Sequence, residues 1–65
     1  PASDDERVAS RVRLAEVEAQ LRTFRDEVRA ELREAAREGS VSPLTVETVR
    51  TVLDQARTAI RDTLR

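Results

Sequence analysis

The sequence predicts an all-α chain: an antiparallel two-helix hairpin, with a long first helix and a shorter second, dimerising into a four-helix bundle. Three observations lead there. Apolar residues recur at helical spacing along most of the chain. One glycine, Gly39, and the Ser42-Pro43 pair break that periodicity at a single place. Finally, 65 residues without Cys or His have neither disulfides nor the usual transition-metal ligands to supplement a small core, which leaves association as the route to stability.

The first helix is expected from about residue 4 to 38. Ser3-Asp4-Asp5-Glu6 has a hydroxyl three residues before a glutamate, the pattern of a capping box. The three acids also suit the positive end of a helix dipole. Good helix formers, chiefly Arg, Glu, Ala and Leu, then fill the chain up to Gly39. A glycine just past the last periodic residue can adopt the left-handed conformation that closes a helix.

The turn is expected at residues 39–42 and the second helix at about 43–64. Ser42 is the candidate cap, and Pro43 falls at the first helical position, where its missing N–H costs nothing. Val41 and Val46 have the spacing of a hydrophobic staple across that cap. Threonines at 45, 48, 51, 58 and 63 lower the intrinsic helix preference of this segment, so packing must support it. A connection this short predicts antiparallel neighbours. The whole chain, residues 1–65, is therefore read as one helical hairpin domain.

The apolar faces give the expected packing. On the first helix, Leu14, Val17, Leu21, Phe24, Val28, Leu32 and Ala35 follow one another at steps of three and four, a seam of the coiled-coil kind. On the second, Val49, Val52, Leu53, Ala56, Ala59, Ile60 and Leu64 form a broader stripe. The expected hairpin core is Leu14, Val17, Leu21, Phe24, Val28, Leu32, Val52, Ala56 and Leu64. In it Phe24, the one aromatic residue, opposes the small Ala56 and Ala59.

At 1.5 Å per residue the helices would measure ~52 and ~33 Å, so the start of the first overhangs the second. In that overhang the apolar residues change sides. Val8, Val12, Ala15 and Ala19 lie about half a turn from the main seam, at 100° per residue. They are expected, with Val49, Leu53 and Ile60, to form the interface with a second copy or another helical protein.

Composition argues against most chemistry. Ser and Thr are plentiful, but no His or Lys is present to activate them, and one glycine cannot build a phosphate-binding loop. No enzyme activity, cofactor, metal or small-molecule substrate is expected. Glu27, Glu31, Glu34 and Glu38 share a flank of the first helix at metal-compatible spacing, but lack the turn and carbonyl ligands of a calcium site and read as a solvated face. The net charge is −1, so no global basic field draws the chain to nucleic acid or an anionic membrane.

A narrower basic feature supplies the runner-up reading, a small RNA- or DNA-binding hairpin. Arg11, Arg22, Arg29 and Arg33 line one flank, and Arg50, Arg57 and Arg61 do the same on the second helix. Acids interrupt both rows, and intrahelical pairs such as Glu18–Arg22 and Arg50–Asp54 would account for much of the pattern. All twelve basic residues are arginine, which fits an Arg-rich genome composition, and a bacterial source is the expectation. No apolar run reaches transmembrane length and no signal-peptide pattern is present, so the expected compartment is the cytoplasm.

Ala35-Ala36-Arg37-Glu38-Gly39 faintly resembles the coiled-coil tip of bacterial transcript-cleavage factors. Those carry metal-holding acids just after the glycine. Ser40, Val41 and Ser42 stand there instead, so no family is assigned and no metal role follows. The sequence thus leads to a protein–protein association module, a dimerisation domain or small adaptor.

Overall fold

The computed structural model describes residues 3–65 and contains two α-helices, α1 (Asp4–Arg37) and α2 (Pro43–Asp62). Among the described residues there is no strand. Pro1 and Ala2, the first residues of the expected domain, lie outside the described residues. The chain divides into two compact units, Pro1–Arg33 and Glu34–Arg65.

The first unit is α1 up to its last turn. Ser3 starts it: its Oγ accepts from the Glu6 N–H at 3.2 Å and its carbonyl accepts from the Arg7 N–H at 3.0 Å. One of the orphan donors of the helix end is thereby satisfied by a side chain. Asp4, Asp5 and Glu6 occupy the first turn, where negative charge is favoured. Arg7 and Asp4 pair at 3.5 Å, and Arg25 and Asp26 at 3.2 Å, both on the surface.

The second unit holds the end of α1, the turn and α2. The helix closes by a Schellman motif. Ser40 N–H donates to the Ala35 carbonyl at 2.8 Å and Gly39 N–H to the Ala36 carbonyl at 3.0 Å. The motif needs a left-handed residue between them, and Gly39 has φ +74°. Arg37, in the last turn, is held by Glu34 at 2.7 Å.

Two residues after the Schellman closure α2 begins, and its start is better secured than the sequence indicated. Thr45 N–H donates to Ser42 Oγ at 3.3 Å, and Ser42 N–H donates to Thr45 Oγ1 at 3.3 Å. This is a reciprocal capping box in which a threonine does the work usually given to Glu or Gln. Pro43 follows the cap as expected. The far end is shorter than expected: α2 stops at Asp62 rather than near residue 64. Thr63 Oγ1 donates to the Ile60 carbonyl at 2.7 Å, and the N–H groups of Thr63 and Leu64 reach the Ile60 and Arg61 carbonyls. Those three-residue spacings tighten the last turn and end the α-helical ladder.

Candidate association surface

No side chain among the described residues is buried. Large apolar residues are exposed on both helices, from 37% for Val49 upward. Such residues scattered singly would be ordinary, but here they are aligned in stripes.

On α1 the residues expected to form the seam lie along one face. Leu14, Val17, Leu21 and Phe24 are exposed, Phe24 at 54%, whereas Val28, Leu32 and Ala35 are half-buried. At 100° per residue, Val8, Val12, Ala15 and Ala19 fall on the opposite side of the same helix. All four are exposed, Val8 at 59% and Val12 at 65%. The first helix thus carries two apolar faces about half a turn apart.

On α2 beyond Thr45 the exposed apolar residues are Val46, Val49, Val52, Leu53, Ala56, Ala59 and Ile60. At 100° per residue they spread over a wide arc of the helix. Leu64 lies past the end of the helix and is 78% exposed. Leu44, which the sequence reading assigned to neither stripe, is 74% exposed in the first turn of α2, close in sequence to the exposed Val41.

The charged flanks are surface throughout. Arg50 pairs with Glu47 at 2.9 Å, one turn toward the N-terminus, in place of the expected Asp54. The expected Glu18–Arg22 pair is not formed either, and among the described residues Arg11, Glu18, Arg22, Arg29 and Arg33 make no ion pair. Of the acidic row, Glu34 is engaged by Arg37, and no cluster that could hold a metal ion occurs among the described residues. A shallow depression along α2, bordered by Arg50, Asp54, Thr58 and Asp62, is open to solvent. Among the described residues no helix is long and apolar enough to cross a membrane.

No protein-family model, curated protein or solved structure matches the chain.

Proposed function

We propose that the chain is a protein–protein association module, a helical hairpin that completes its core by binding a second copy of itself and serves as a dimerisation domain or small adaptor. One observation supports this reading: apolar side chains are ordered into helical stripes, yet among the described residues none is buried. Ordering a residue costs about 1–2 kcal/mol of backbone entropy, and burying a Val, Leu, Ile or Phe side chain returns about 1.5–3 kcal/mol. A chain whose apolar groups stay in water lacks the term that offsets the entropy. Both helices nevertheless carry caps and a closed turn, the local devices of a chain that folds.

In the proposed assembly the seam Leu14, Val17, Leu21, Phe24, Val28 and Leu32 of α1 packs on Val52, Ala56 and Leu64. Val8, Val12, Ala15 and Ala19, with Val49, Leu53 and Ile60, meet the second copy. Four helices then share the apolar surface, as in helix bundles. The chain works by binding and not by catalysis, in keeping with its lack of Cys, His and Lys, and its proposed setting is a bacterial cytoplasm.

Sedimentation equilibrium over a wide concentration range tests this. The expected result is a reversible shift from a mass of 7.3 kDa to twice that value. A chain that stays helical and monomeric at all concentrations would refute it. A specific feature also favours the second reading, nucleic-acid binding: Arg22, Arg29 and Arg33, which make no ion pair among the described residues, share a flank of α1. Asp26 interrupts that flank and Phe24 is the one aromatic residue, so the means to stack bases are lacking.

A further inference from the structure

We infer that the Val8, Val12, Ala15 and Ala19 face of α1 docks on the same face of α1 in a second copy, antiparallel, with Val8 opposite Ala19 and Val12 opposite Ala15. The inference rests on the association reading and deepens it by fixing the partner, the face and the direction.

The stripe has the alternating steps of four, three and four that define a two-helix seam. Extended by one layer at each end, it reaches Asp5 and Arg22. An antiparallel pair centred between Arg13 and Leu14 brings together residues whose numbers sum to 27. Each Val layer then meets an Ala layer, so every contact sets a larger side chain against a smaller one and lets the backbones approach closely. The end layers set Asp5 against Arg22 of the second copy, opposite charges, and by symmetry this occurs twice.

The flanks agree. A two-fold axis perpendicular to both helices brings the same flank of each together. On one flank the residues are Arg11 and Glu18, and the antiparallel register places Arg11 beside Glu18 of the second copy, again twice. Arg11 and Glu18 make no ion pair within the described chain, and neither do Asp5 and Arg22. Their charges are therefore free for a partner. The other flank sets Glu16 against Ala9, so no like charges meet there.

The parallel alternative fails on the same residues. It would stack Asp5 on Asp5 and Arg22 on Arg22 at the edges of the apolar layers, and like charges so placed are strongly disfavoured. The contact would span about 26 Å of helix, from Asp5 to Arg22 at 1.5 Å per residue.

Two measurements on the full chain test the inference. The protein has no cysteine, so Val8→Cys and Ala19→Cys chains can be mixed in equal amounts and oxidised. The mixed disulfide is expected to exceed its statistical share clearly, while each variant alone cross-links poorly. Efficient Val8→Cys self-linking, or a merely statistical distribution, would overturn it. Second, Arg11→Glu and Glu18→Arg should each weaken association about tenfold, because two attractive contacts become repulsive in each dimer. The double variant should recover the parent affinity. A double variant as weak as either single one would overturn the register. A parent chain that never associates removes the association reading itself, whereas a parent that associates without these signatures removes only this geometry.

Discussion

Phe24 shows how much depends on what covers a single side chain. It is the largest apolar group on the α1 seam and is 54% exposed. Left in that state, its truncation would cost little, since substitutions at exposed positions usually change stability by less than ~0.5 kcal/mol. The proposed assembly encloses it, and Phe24→Ala is then expected to cost about 3–5 kcal/mol. Urea denaturation at fixed protein concentration measures this, and a loss under ~1 kcal/mol would show that the seam remains in water. Gly39 gives a prediction of a different kind. A Cβ there would meet nothing within 4 Å, so no clash arises. Its φ of +74° is nevertheless unfavourable for an L-residue. Gly39→Ala should therefore destabilise by about 1–2 kcal/mol through backbone strain alone. A neutral or stabilising result in the same denaturation would mean the Schellman turn is not held in the folded chain.

At the scale of elements, the first turns of α1 carry the sharpest prediction. β-branched residues are modest helix formers on a solvent face but pack well against another helix. Val8→Asp combined with Val12→Asp should raise the dissociation constant by at least about a hundredfold, as the side chains that the proposed assembly covers would lose that cover in each copy. Sedimentation of this double variant decides it; unchanged association would move the interface to the broad face of α2. The ends of the elements were largely legible in the sequence. Ser3, Gly39, Ser42 and Pro43 each act through a local rule, so their roles followed without knowledge of distant contacts. The misses have local causes too. The capping-box pattern has Glu or Gln at its third helical position, so residue type alone does not point to Thr45, whose hydroxyl accepts from the Ser42 N–H. The early end of α2 comes from Thr63 turning back on Ile60, a competition between side chain and backbone that composition does not reveal. Arg50 could reach Glu47 or Asp54, and spacing alone does not choose between them. The stripes themselves were readable from periodicity. What covers them was not, because that depends on a second surface.

For the molecule as a whole, the two readings of the arginine flank separate on salt dependence. Replacing Arg22, Arg29 and Arg33 by Gln is expected to leave helicity intact and to abolish no nucleic-acid affinity. A gel shift with parent protein that weakens steeply as salt rises, and is lost in this triple variant, would favour the nucleic-acid reading. The central claim is that folding is completed by association, and thermal melting followed by circular dichroism tests it most directly. One cooperative transition is expected, its midpoint climbing steadily as protein concentration is raised over a hundredfold range, since mass action then stabilises the folded state. A midpoint that does not move with concentration would contradict it.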